Sequence, residues 1–218
     1  MPAQPVAIQH KKVEGNQMQF NIVPEAWRAM GLTTLALLVL TALVFDLRQR
    51  RIPNTLVLLA LGAGLFINLI GPQTWQSGAS LLTLYPSALG IKGALLGALT
   101  GLAFFLPFYL LRAMGAGDVK LMAGIGSFVG PATAIDVALF ILVTGGVLAV
   151  VRMVWVRKTQ LVLFNVATAL GQWVPGSVAR FDPATQSADR MPYGVAMASG
   201  LLAYGAWIFS GHAPLVNF

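Results

Sequence analysis

Apolar and polar positions in this chain fall into long blocks and do not alternate with the period of a strand. Runs from Ala29 to Phe45, Thr55 to Ile70, Ile91 to Leu111, Ala132 to Val156 and Met191 to Phe209 carry few charges. Each lies near, or somewhat under, the length of about 20 residues that a helix needs to cross a bilayer. A further run, Leu121 to Val129, is too short to cross alone. Either the glycine-rich segment before it lies at membrane depth, or the helix continues through Gly130 and Pro131, where a proline favours a break. Met1 to Glu25 is polar and mixed, with His10, Lys11, Lys12, Glu14 and prolines at 2, 5 and 24, and reads as a mobile tail. From Thr159 to Asp189 a few apolar residues (Leu161, Val162, Phe164, Trp173, Val174) stand among small and polar ones, which suits an interfacial helix followed by a loop. The pattern predicts an all-α, polytopic membrane protein of about six transmembrane helices with an interfacial helix before the last. Residues 1–28 form a polar N-terminal tail and 29–212 a membrane-embedded domain.

Composition agrees, with 57% hydrophobic residues, 10% charged residues and a mean hydropathy of +0.76, too apolar for a soluble globule of this length. The first run could be read as a cleaved signal peptide. It follows a long polar lead, however, and ends in Asp46 and an arginine cluster with no small-x-small cleavage site before it, so an uncleaved first helix is expected. A net charge of +7 raises the question of nucleic acid, but the basic residues sit at the ends of apolar runs and form no aromatic-laced basic domain. No nucleic-acid partner is expected; the partner implied is membrane lipid.

Membrane topology accounts for the basic residues, since Lys and Arg gather in cytoplasmic connections. With the first connection cytoplasmic, that side holds Arg48, Arg50, Arg51, Arg112, Lys120, Arg152, Arg157, Lys158, Arg180 and Arg190. The other side holds Lys11, Lys12, Arg28 and Lys92, a split of 10 against 4. The connection from Gly71 to Gly90 has no charge at all, as an external loop allows. Six helices with both termini outside is the expected topology, and the basic tail is the one part that runs against the rule.

Seven acids serve the 218 residues, and only Asp46, Asp118 and Asp136 lie within or beside apolar runs. An ionised carboxylate there is costly unless it is paired or used. Asp118 stands in Gly115-Ala116-Gly117-Asp118-Val119-Lys120. Its glycines admit backbone conformations closed to other residues and allow close approach by another chain. A loop that starts a helix there would set Asp118 at the helix N-terminus with its side chain aimed into the bundle. Asp46 ends the first run and is followed by Arg48, Arg50, Arg51, Ile52, Pro53 and Asn54. In the expected topology both acids lie at the cytoplasmic ends of their helices and can face each other, whereas Asp136 is a membrane thickness away and reads as a cap or interface residue. Structural readings compete: a helix cap for Asp118, a cap or arginine partner for Asp46, and plain membrane-helix packing for the ridge of Gly93, Gly97 and Gly101. Lys120 could pair an acid, meet a substrate carboxylate, or simply obey the topology rule.

Two carboxylates held close cannot both ionise cheaply, so they share a proton: one acts as base toward water while the other donates to a carbonyl oxygen. Cys is absent and the histidines, His10 and His212, lie near opposite ends of the chain. That leaves no thiol nucleophile and no Cys or His metal site, and no cofactor is expected. Two other classes compete. A small proton-coupled transporter would place its acids near the midplane and often shows an internal repeat, and no repeat is visible. A scaffold without chemistry leaves Asp46 and Asp118 unexplained.

Gly115-Ala116-Gly117-Asp118-Val119-Lys120-Leu121 resembles the GxGD signature of type IV prepilin peptidases, membrane aspartic proteases that remove the short basic leader from prepilins. Asp46 with Ile52-Pro53-Asn54 resembles that family's other aspartate segment, and Arg190-Met191-Pro192-Tyr193-Gly194 its Pro-aromatic-Gly opening of the last helix. The likeness runs from about Leu35 to Ala206 and leaves out the tail. It implies Asp46 and Asp118 as the catalytic pair, Gly115 and Gly117 as loop-shaping residues, and Lys120 as a nearby accessory. Long members carry an insertion with two Cys-x-x-Cys pairs and an N-methyltransferase activity; with no Cys and only a few residues after Asp46, neither zinc nor methylation is expected here. The short form resembles the peptidases of Flp-type (Tad) pili. The implied partners are prepilins (an Flp-like major pilin and pseudopilins) and pilus assembly machinery, and the implied location is the bacterial inner membrane with the site facing the cytoplasm. Presenilin-like enzymes also use GxGD but pair it with Tyr-Asp, where this chain has Phe45-Asp46.

Overall fold

The computed structural model describes residues 7–72, 81–82, 88–111, 113–155 and 193–216. They form six helices: α1 (Ala7–Gln49), α2 (Asn54–Ile70), α3 (Gly90–Leu110), α4 (Ala116–Val129), α5 (Pro131–Trp155) and α6 (Tyr193–Phe209). No strand occurs among the described residues. The interfacial helix expected over 159–189 and most of the uncharged connection over 71–90 lie outside them. Among the described residues three helices are long and apolar enough to cross a membrane, over Ala26–Gln49, Gly90–Leu110 and Pro131–Arg152, and α2 and α6 are shorter apolar helices. The protein is an all-helical, polytopic membrane protein. α1 reaches back to Ala7, into the segment whose composition reads as a mobile tail. A helix already nucleated gains one hydrogen bond for each further residue, and Gln, Lys, Glu and Met there are fair helix formers.

The short run that could not cross alone is the centre of the molecule. In α4 every residue from Leu121 to Val129 is buried. Around it α1, α2, α3, α5 and α6 close a ring in which each helix packs on the next. The ring turns Leu37, Leu58, Leu99, Val147 and Leu202 outward, where lipid would cover them. Glycine lets the ring close on α4. A Cβ at Gly97 of α3 would strike the Gly126 carbonyl oxygen of α4, one at Gly126 would strike the Gly97 carbonyl oxygen, and one at Gly101 would come within 2.6 Å of the Met122 carbonyl oxygen. Two members of the predicted glycine ridge thus serve packing, while Gly93 faces only Leu89 at the start of its own helix. The break expected near Pro131 falls at Gly130, whose φ of 81° few other residues tolerate, and α5 starts at Pro131.

Consecutive helices run in opposite directions, and one buried polar tie fixes three of them at one end. Asn68 of α2 donates its side-chain amide to the carbonyl oxygens of Ser127 (2.8 Å) and Phe128 (3.3 Å) at the end of α4. Its Oδ1 accepts the Leu89 N–H (3.0 Å) at the head of α3. The same far end carries Trp27, which donates to the Ile67 carbonyl oxygen (2.9 Å), and Arg28, whose guanidinium lies 4.9 Å from the Phe209 ring centre. Asp136 is also there, as its place in the sequence predicts. It accepts the Tyr204 hydroxyl (3.2 Å) and the Leu215 (3.1 Å) and Val216 (3.0 Å) amides, binding the chain after α6 onto α5.

Overfilling the α3–α4 contact should be costly. Gly126→Val pushes side-chain carbon into the Gly97 backbone and is expected to lower the unfolding free energy in detergent by about 3 kcal/mol. Gly62→Val, at a position where an added Cβ meets nothing within 4 Å, should stay within about 1 kcal/mol of the native chain. A thermal or denaturant titration of the two variants side by side checks the contrast.

Candidate active site

At the other end of the bundle α1 finishes and α4 and α6 begin. Asp46 lies in the last turn of α1; its carbonyl oxygen accepts the Arg50 N–H (2.9 Å), and Arg50, at φ 52°, takes the left-handed conformation that often ends a helix. The chain then turns through Ile52 and Pro53 into Asn54, the first residue of α2. Asp118 is the third residue of α4, and its Oδ2 reaches back to the Gly115 N–H (3.1 Å). This is the half of a capping box in which the N3 acid satisfies the N-cap amide. The cap reading of Asp118 is therefore correct as geometry. It uses one carboxylate oxygen and leaves the other for other work.

The two acids meet. Asp46 is 7% exposed and Asp118 8%, and they are near enough for the charge on one to act on the other. The third participant comes from α6. Gly194 donates its amide to Asp46 Oδ2 (2.7 Å) across 148 residues of sequence. The first amides of a helix have no partner within it, so this donor is free to hold a carboxylate, and the positive end of the helix dipole favours the anion there. Gly194 must be small, because a Cβ on it would stand 2.9 Å from that same oxygen and 3.0 Å from Asp46 Cβ. Tyr193 beside it is within electrostatic reach of Asp118.

The loop residues act mainly by letting elements approach. Gly115 is extended at φ −79°, and the positive-φ glycines among the described residues are Gly90, Gly130 and Gly211. Neither Gly115 nor Gly117 uses the left-handed freedom its residue type offers. Gly117 instead lets the α1–α2 turn dock, since a Cβ there would lie 3.2 Å from Ile52 Cβ. Lys120 donates its ammonium to Asn54 Oδ1 (3.1 Å), at an exposed position. Sequence reasoning picked both acids, both glycines and Lys120 but assigned no role to Asn54 or Gly194, although both stand in the quoted Ile-Pro-Asn and Pro-Tyr-Gly segments. Among the described residues no group of three or more His, Cys, Asp or Glu could hold a metal ion.

A ring of apolar helices defines a membrane-embedded helical protein, and in this one two buried carboxylates stand at one end of the bundle. Residues 33–150, more than half of the chain and including Asp46 and Asp118, match the model of the Type IV leader peptidase family. The chain belongs to that family. It is also 30% identical over 158 residues to the "Type 4 prepilin-like proteins leader peptide-processing enzyme" of Escherichia coli, a match covering 68% of this chain and 51% of the relative. The chain thus spans about half the length of that curated relative. No solved structure matches it.

The Gly194–Asp46 bond has a direct readout. Its amide lacks a helical acceptor, so its protection from hydrogen exchange rests on the carboxylate. In Asp46→Ala the Gly194 amide should exchange about 10- to 100-fold faster, the range for losing a hydrogen bond to a charged group. The amides of Leu121 to Val129 should keep their rates.

Proposed function

We propose that the protein is a membrane-embedded aspartic endopeptidase that removes the N-terminal leader from type IV, Flp-like prepilins at the cytoplasmic face of the bacterial inner membrane. The observation that carries this reading is the convergence of Asp46 and Asp118, both buried, at one end of the bundle. Family membership and the leader-processing name of the Escherichia coli relative support the same substrate class. Of the described cytoplasmic-set residues, Arg48, Lys120 and Arg152 stand near that same end of their helices and Arg50 and Arg51 in the turn beside it, which supports the orientation. With no Cys for a zinc-binding insertion, methyl transfer is not part of the proposal.

The chemistry follows from one proton held between two carboxylates. The ionised member takes a proton from a water molecule, whose oxygen bonds to the scissile carbonyl carbon while the protonated member gives its proton to the carbonyl oxygen. The tetrahedral intermediate then collapses. The C–N bond breaks as the amine nitrogen takes a proton from the carboxyl group that had accepted one, the second diol proton returns to its partner, and the pair again shares one proton. The acids titrate as a unit, and the roles belong to the pair. Gly194 and Gly115 donate to Oδ2 of Asp46 and Asp118 respectively, which orients the carboxylates before substrate arrives. A prepilin with a basic leader in the cytoplasm and an apolar helix in the membrane brings its scissile bond to this depth. Pilus assembly machinery would receive the product.

Cleavage of a candidate Flp-type prepilin co-expressed with the protein tests this reading. Asp46→Asn and Asp118→Asn should each lower leader removal by at least about 100-fold, the lower range for loss of a general acid or base, while the protein still inserts. Normal cleavage by either variant rules out a two-aspartate mechanism.

A further inference from the structure

Asp46 sits on α1, yet α1 touches α4 only lightly. A second route links it to Asp118, through the start of α2. The chain leaves α1 at Gln49 and enters α2 at Asn54, a turn too short to let the two ends move independently. That turn is then docked on the first turn of α4 by two contacts: Ile52 against the open face of Gly117, and Asn54 accepting the Lys120 ammonium. The α2–α4 pair is tied at both ends, and the two ties differ in kind. At the far end the Asn68 tie is buried, where a lost partner leaves unsatisfied polar groups and costs stability. At the acid-bearing end the Lys120–Asn54 bond is exposed, and an exposed bond of this kind contributes little to stability. It joins two turns that each carry an acid, because Lys120 is two residues from Asp118 and Asn54 stands just past the turn that follows Asp46.

We propose that Asn54 is a positioning residue of the active site: through its bond to Lys120 it clamps the turn after Asp46 onto the turn that carries Asp118 and so sets the spacing of the two carboxylates. The proposal rests on the endopeptidase reading. Asn54 itself need touch neither water nor substrate, and Lys120 serves here as a strut.

The experiment measures prepilin cleavage and site geometry in the same set of variants: native, Asn54→Leu, Asn54→Asp, Lys120→Met and the double variant Asn54→Leu with Lys120→Met. Asn54→Leu should melt at the native temperature, since only an exposed bond is lost, but cut with kcat down about 10-fold, the scale of a modest misplacement of reacting groups. KM should stay within about twofold of the native value, as expected when substrate binding is untouched. Asn54→Asp, which keeps an oxygen for the ammonium, should retain most of the native kcat. The double variant should be no worse than Asn54→Leu alone, because both substitutions remove one bond. Native kcat in Asn54→Leu, or additive losses in the double variant, overturns the proposal while leaving the peptidase reading standing. The absence of cysteine supplies a second arm that needs no cleavage. Spin labels at Gln49→Cys and Ala116→Cys should give one narrow distance distribution, broadened by Asn54→Leu and restored by Asn54→Asp. An unchanged distribution overturns the proposal even if the native chain cuts no prepilin, an outcome that would count against the peptidase reading by itself.

Discussion

The structure depends on enclosing one short helix. α4 has 14 residues, too few to span a bilayer alone, and from Leu121 onward it offers lipid nothing. Five helices surround it instead, and α3 comes close only because glycines at 97, 101 and 126 remove side chains where backbones meet. In a membrane, where lipid tails are as apolar as leucine, close backbone packing and buried polar ties replace the hydrophobic effect as the cohesive force between helices. Gly97 against Gly126 supplies the first, and Asn68 between α2, α3 and α4 supplies the second.

Enclosure also explains where an acid can be kept. The N-terminus of α4 is the one part of the helix left outside the ring, and Asp118 stands at that boundary, buried and accepting the Gly115 amide. Asp46 reaches the same level from the end of α1, and α6 brings the Gly194 amide to it. Three helix ends therefore supply two carboxylates and two amide donors to one spot. Side chains anchored on packed helices hold their geometry better than side chains on a long loop would. The far end uses the same grammar for a different purpose: Asp136 accepts three donors and is wholly buried, which makes it a clasp and leaves no oxygen facing an opening.

Much of this was legible from residues alone. Apart from the starts of α1 and α4, the apolar blocks located the helices to within a few residues, since the energy of placing a block in lipid is a sum over that block. Scarcity picked out the acids, because seven carboxylates among 218 residues leave few in apolar surroundings. The break before Pro131 was visible in its Gly-Pro pair. The tail was less legible: its mixed composition reads as mobile, whereas the helix runs on from Ala7, a consequence of propagation from the apolar span more than of local preference.

The sequence by itself determined that this is a membrane protein of about six helices, and that Asp46 and Asp118 are the acids to ask about. Only the tertiary structure decided that α4 is the enclosed helix, that glycines 97 and 126 face each other, that the Gly194 amide lies on Asp46, and that Lys120 holds Asn54. The division has a physical cause. Burial in lipid and helix formation are local, and a window of some twenty residues contains their terms. A hydrogen bond across 148 residues depends on which helices become neighbours, and that is settled by the packing of the whole ring.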